Sequence, residues 1–127
     1  MDSFTIEKKD NCTLVSTHVE KLDSRFSPDL KAELVQIGND GEKNIIIDLS
    51  NSRYCDSSGL SALLVANRLC RDSNGMFVIT GLQDSVSKLI SISQLDNVLN
   101  IAASVDEAIQ LMNQGEITRD SGDETAS

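Results

Sequence analysis

The sequence predicts a single α/β domain, built on a mixed sheet of about four to five strands with about four helices and preceded by an N-terminal strand or hairpin. Three observations carry this. Ile45-Ile46-Ile47 is a β-branched run too short for a helix and too uniformly apolar for a half-exposed strand, so it belongs inside a sheet covered on both faces. After a short polar loop, Asp56-Ser57-Ser58-Gly59-Leu60 opens an apolar helix, giving the strand, loop and helix of a crossover unit. Strand and helix patterns then alternate along the chain with no internal repeat or linker, and 127 residues suffice to bury a core without disulfides or metal.

In chain order, Phe4 to Lys8 and Cys12 to Val19 carry β-branched and apolar residues on either side of the polar Lys9-Asp10-Asn11, which reads as a hairpin. Ser27-Pro28-Asp29 offers a capping hydroxyl, a proline whose missing N–H does no harm, and an acid in the first turn. Leu30, Leu34 and Ile37 recur at helical spacing, and Gly38 ends that helix. Asn39-Asp40-Gly41 is turn chemistry leading into the Ile45 strand.

The next helix runs from about Ser57 to Cys70, with Leu60, Leu63, Leu64 and Ala66 inward, until Asp72-Ser73-Asn74-Gly75 stops it. Ser57 or Ser58 can cap its free N–H groups, and Gly59 allows a close approach by other groups. Helix starts favour negative charge, so an added phosphate at this seam would be well placed. Met76 to Thr80 is a strand, a weaker helix from about Asp84 to Ile92 groups Val86, Leu89 and Ile90, and Leu99 to Ala102 forms a short final strand. Ser104-Val105-Asp106-Glu107 has capping-box spacing, and Val105, Ala108, Ile109 and Met112 give its helix an apolar stripe up to Gly115. Residues 1–115 are thus expected to form the domain, and the acid-rich residues 116–127 a mobile tail with little to bury.

Eleven basic against twenty acidic residues leave a net charge of −9, and the basic residues are scattered. Neither nucleic acid nor an anionic membrane suits such a surface. Cys12, Cys55 and Cys70 lie far apart in an odd total, which suits reduced thiols and lacks zinc-ligand spacing. Met1-Asp2-Ser3-Phe4 lacks the basic start and apolar run of a signal peptide, and no stretch reaches membrane-spanning length. A cytoplasmic protein is expected, without direct membrane insertion.

Catalytic motifs are weak. Leu60 follows Gly59 where a Walker loop needs lysine, and no dinucleotide glycine pattern occurs. Neither Ser57 nor Ser58 has the glycine frame of a serine hydrolase. His18, the sole histidine, is embedded in an alternating strand and reads as an ordinary strand residue. Cys55 beside the serines raises a cysteine nucleophile paired with His18 as an enzyme alternative, against the commoner case of a thiol packed under a loop. Asp48 and Asp56 are two acids where an aspartyl-phosphate site needs a carboxylate cluster for its metal ion.

Asn44-Ile45-Ile46-Ile47-Asp48-Leu49 followed by Tyr54-Cys55-Asp56-Ser57-Ser58-Gly59-Leu60 closely resembles the core motif of STAS domains, specifically the anti-anti-sigma factors (anti-sigma factor antagonists) of bacterial partner-switching systems. Asn74 to Ile79, Val86, Leu89, Leu95 and the Ser104 to Ile109 segment look like that family's later strand, helix and closing helix. Leu22-Asp23 looks like its Leu-Asp element. The resemblance spans roughly Phe4 to Met112. It departs at Glu20-Lys21, where the family usually has Gly-Glu, at Ser61, where a glycine often follows the motif leucine, and at Gln94, which replaces another glycine; these positions lie near the expected binding face.

By this resemblance the serine directly after the aspartate, Ser57, is the phosphoacceptor, and Asp23, Asp56, Ser57, Ser58, Gly59 and Leu60 form the partner-binding surface. The resemblance implies a non-catalytic protein without cofactor or metal. Its partners would be a serine protein kinase that also sequesters a sigma factor, and a phosphoserine phosphatase that resets the switch; the unbound chain would be a monomer. A STAS subunit on a lipid-transport or anion-transport complex, using the same surface without phosphorylation, is the alternative.

Overall fold

The computed structural model describes residues 3–9 and 11–113. The expected helix end at Gly115 and the tail at 116–127 lie outside them. Five strands form one mixed sheet: β1 (Phe4–Lys8), β2 (Thr13–Thr17), β4 (Ile45–Asp48), β6 (Phe77–Thr80) and β7 (Asn100–Ala102), side by side in that order. β1 and β2 make the expected antiparallel hairpin, with Ile6 opposite Val15, and every later pairing is parallel. The helices are α1 (Ser27–Asn39), α2 (Ser57–Asp72), α3 (Asp84–Ile92) and α4, residues 105–113.

The Ile triplet lies in the middle strand, and its alternation separates two cores. Val15, Ile47 and Ile79 form one cross-strand row, and Ile45 pairs with Phe77; these side chains meet Leu30 and Leu34 of α1, Leu63 and Ala66 of α2, and Val86 and Ile90 of α3. Ile46 points the other way, beside Val78, and is covered by Ala108 and Met112 of α4 together with Cys12 and Ala102. A strand buried on both faces has no polar side to show, which is why its sequence is continuous rather than alternating.

A second, two-stranded pairing was not foreseen. β3 (Lys21–Leu22) runs parallel to β5 (Tyr54–Cys55), with Leu22 opposite Cys55. Two residues give no readable period, and Glu20-Lys21 and Arg53-Tyr54 are surface-like in composition, so the strands are set by tertiary pairing alone. This pairing brings the loop before α1 against the loop before α2.

Two caps differ from expectation. α1 begins with Phe26 at the cap position and no side-chain cap bond, while the Ser27 hydroxyl donates to the Asp23 carbonyl at 2.8 Å. α2 is capped by Asp56, not by Ser57 or Ser58. Asp56 has extended backbone, so its carboxylate swings over the first turn and accepts from two N–H groups. The capping-box serine of α4 is as read, the Glu107 N–H donating to Ser104 Oγ at 3.1 Å.

Candidate functional site

The start of α2 is built around the Asp56 carboxylate. Its Oδ1 accepts from the Ser58 N–H at 2.9 Å, from the Gly59 N–H at 3.1 Å and from the Ser58 hydroxyl at 2.5 Å. The Asp56 carbonyl takes the Leu60 N–H at 3.0 Å. The Ser58 hydroxyl, followed by these N–H groups, holds the Asp56 carboxyl below the usual carboxylate range, against burial and the nearby negative charge of Asp23.

The two serines are thereby made unequal. Ser58 is half-buried and its hydroxyl lies between Asp56 and Ser27, 3.1 Å from Ser27 Oγ, which in turn reaches back to the Asp23 carbonyl. Ser57 sits one residue earlier, on the outside of the first turn; it is exposed, and its hydroxyl makes no hydrogen bond among the described residues. A group transferred to Ser57 meets open solvent, whereas one on Ser58 would break the cap and displace Ser27.

Gly59 and Leu60 lie beneath this surface. A Cβ on Gly59 would come 2.6 Å from both Cys55 Sγ and the Leu22 carbonyl, so the glycine is what lets α2 seat against β3 and β5. Leu60 is 7 % exposed and joins the main core. Asp23 is half-buried and forms a two-pronged pair with Arg25, whose Nε and Nη2 donate to its carboxylate, and Arg25 lies over the Phe26 ring. The surface presented outward therefore consists of Ser57, the rim of Asp56 and Ser58, and the Asp23–Arg25 pair, with Gly59 and Leu60 holding it from below.

The enzyme alternative finds no assembled site. His18 is exposed on the hairpin and hydrogen-bonds Thr5 Oγ1 at 2.9 Å, while Cys55 is buried and its thiol donates to the Asp56 carbonyl at 3.4 Å. Burial, reinforced by Asp56, pushes the Cys55 thiol up to about 12, the opposite of an activated nucleophile. Asp48 accepts the Ser50 N–H at 3.0 Å at the end of β4. Among the described residues no three His, Cys, Asp or Glu side chains gather as a metal site.

The family model of the STAS domain matches residues 3–108. The chain belongs to the STAS domain family. Relatives of this STAS domain include an anti-sigma-B factor antagonist of Staphylococcus aureus, 26 % identical over 81 residues, covering 64 % of this chain and 75 % of that protein. Another is a candidate anti-sigma factor antagonist of Bordetella bronchiseptica, 27 % identical over 105 residues, covering 83 % and 90 %. The crystal structure of an anti-sigma factor antagonist from Mycobacterium paratuberculosis superposes with a TM-score of 0.78 at 21 % identity, covering 87 % of this chain and 92 % of that one. That last likeness speaks to the fold alone.

Sequence reasoning missed Ser27 and Arg25 as parts of the seam. Ser27 lies 31 positions before Ser58 and looks like an ordinary helix-capping serine, so only the β3–β5 pairing reveals their meeting. Arg25 had a readable signal, an acid two residues earlier in a turn, which suits a local carboxylate–guanidinium pair. Gln94 adopts left-handed backbone with φ of 61°. A glycine there would relieve that strain.

Proposed function

We propose that this STAS domain is an anti-sigma factor antagonist: a non-catalytic cytoplasmic protein, monomeric when free, that binds a serine protein kinase acting as an anti-sigma factor. Phosphorylation of Ser57 by that kinase switches the binding off, and a phosphoserine phosphatase restores it. The observation carrying this reading is the asymmetry of the seam, in which Ser57 offers a free, exposed hydroxyl while Ser58 is held by Asp56 and Ser27. The names of the relatives from Staphylococcus and Bordetella support the same role.

The chemistry of the switch follows from what surrounds Ser57. A phosphate adds about −1.5 to −2 charges and a tetrahedral bulk. It would find the N–H groups of Ser58 and Gly59 already bonded to Asp56. The helix start therefore offers it less than a bare N-terminus would, and Asp56 repels it, so the phosphate stands outward into the space a partner must occupy. A partner surface shaped for a hydroxyl then meets steric, desolvation and charge costs; blocking a central contact commonly costs about 2 kcal/mol, roughly thirtyfold in affinity.

The test is incubation with the cognate kinase and ATP, site mapping by mass spectrometry, and calorimetry of the two forms. Phosphate is expected on Ser57, with kinase binding weakened at least about tenfold. Ser57→Ala should bind constitutively and resist modification, Ser57→Asp should bind poorly, and Ser58→Ala should still accept phosphate. Phosphate on Ser58 and not Ser57, or equal binding by fully phosphorylated protein, would overturn the mechanism.

A further inference from the structure

The outer side of α2 and the turn before β7 enclose an open groove of about 740 Å³, which starts at Ser61 and runs past Arg71 to Asp72. At 1.5 Å per residue that is a trough about 16 Å long. Its apolar part is Leu64, Val65 and Val98, the last 45 % exposed although aliphatic. Its polar part is Ser61, Asn67, Arg68, Arg71 and Asp72, so two guanidinium groups face the groove against one carboxylate.

One feature of the polar part is unusual for this chain. Arg68 and Arg71 carry like charge on a protein of net charge −9, and neither forms an ion pair among the described residues, although three other basic side chains do.

We infer that this groove is a second docking surface, and that it receives an acidic, amphipathic helical segment of a protein partner. The apolar wall would take aliphatic side chains and the arginines would take carboxylates. A small anion would leave Leu64, Val65 and Val98 unused. A second copy of the chain would bring −9 against −9. The chain's own residues 114–127 supply acids but only Ile117 and Ala126 as apolar side chains, too few for the wall. The inference is independent of the Ser57 switch, since Arg68 lies eleven residues along α2, about 16 Å from Ser57.

The probe is a synthetic helical peptide of about sixteen residues with leucines on one stripe and glutamates flanking it, about 24 Å long. It is titrated into the isotope-labelled full chain and followed by amide chemical shifts. Shifts are expected at residues 64–72 and at Val98. Arg68→Glu with Arg71→Glu should weaken binding at least about tenfold, as should replacing the peptide's glutamates by lysines. Ser57→Asp should bind the peptide within about twofold of the parent, which separates this surface from the switch.

The proposal is overturned by shifts confined elsewhere, by no binding, or by equal binding of the lysine peptide. It is also overturned if the same residues shift on dilution of the chain alone, marking self-association, or with inorganic phosphate alone, marking a small-anion site.

Discussion

Gly59→Ala sets two effects of opposite sign against each other. Alanine is the better helix former by about 0.8 to 1 kcal/mol, so a reading of α2 by propensity predicts a more stable protein. The new Cβ, however, would lie 2.6 Å from Cys55 Sγ, 2.6 Å from the Leu22 carbonyl oxygen and 3.0 Å from Leu22 Cγ. The thiol is a side chain that can turn. The carbonyl is not, because Leu22 is held in the β3–β5 pairing and its oxygen accepts the Asp56 N–H at 3.2 Å. Inserting a methyl into such a site typically costs about 1 to 3 kcal/mol. Disturbing that hydrogen bond adds about 1 kcal/mol.

The clash wins, and the net loss is about 1 to 3 kcal/mol, which lowers the melting temperature of a domain this size by about 5 to 15 °C. Thermal unfolding followed by circular dichroism, with urea titration as a check, measures it. Gly38→Ala is the control, because a Cβ there meets nothing within 4 Å and the propensity gain stands alone; that variant should melt at or above the parent. Adding Cys55→Ala to Gly59→Ala should recover only part of the loss. A Gly59→Ala protein as stable as the parent would refute the reasoning, and full recovery by Cys55→Ala would show the thiol, not the carbonyl, to be the obstacle.

Asp56→Ala removes the α2 cap and should cost about 1 kcal/mol at pH 7. Because the folded-state carboxyl lies below its ordinary value of 3.8, this contribution is present above that value and is lost as pH falls through the lower, folded-state one. The melting-temperature gap to the parent should therefore narrow on acidification below 3.8, and a gap that widened would contradict the cap. Ile46→Asp would bury a charge between the sheet and α4, where Ile46 is fully enclosed, costing several kcal/mol, on the order of the whole stability of a small domain; a retained cooperative transition within a few degrees of the parent would count against the two-sided burial. The three thiols are buried, and burial pushes Cys55 and Cys70 up to about 12 and Cys12 upward as well. An aromatic disulfide reagent at pH 8 should react with none of them in the native protein and with all three in urea, and rapid reaction of one native thiol would show a local opening.

What could be read from the chain was what repeats or terminates. The Ile45 to Ile47 strand, the helix stripes of α1 to α4 and the stop at Asn74-Gly75 all rest on side-chain type over several residues, and each element appears where its pattern lies; α1, by contrast, runs through Gly38 to Asn39, and the glycine with left-handed backbone after it is Gly41. The β3–β5 pairing rests on two residues a side and has no pattern of its own. It forms because α1 and α2 pack side by side on one sheet face, which brings their preceding loops together; local sequence holds no trace of that. The caps went astray for a related reason. Ser27 and Ser58 are both plausible caps in isolation, yet each hydroxyl is diverted to a tertiary partner, and Asp56 takes the N–H groups that remain.

The same diversion bears on why Ser57 and Ser58 are distinguishable at all. Adjacent residues at a helix start differ by about 100° around the axis, so only one of the two can face a neighbouring element. The β3–β5 pairing places α1 on the side of Ser58, and Ser27 is the residue waiting there. Had Ser27 been alanine, Ser58 would keep its bond to Asp56 but lose the contact that ties the seam to α1, and the hydroxyls would differ less in freedom. Ser27→Ala should therefore leave Ser57 the preferred acceptor while admitting some modification at Ser58, read as a minor second phosphosite by mass spectrometry under the conditions where the parent shows one. Equal modification of both serines already in the parent would show that exposure and hydrogen bonding in the free protein do not govern the choice, and that the kinase alone makes it.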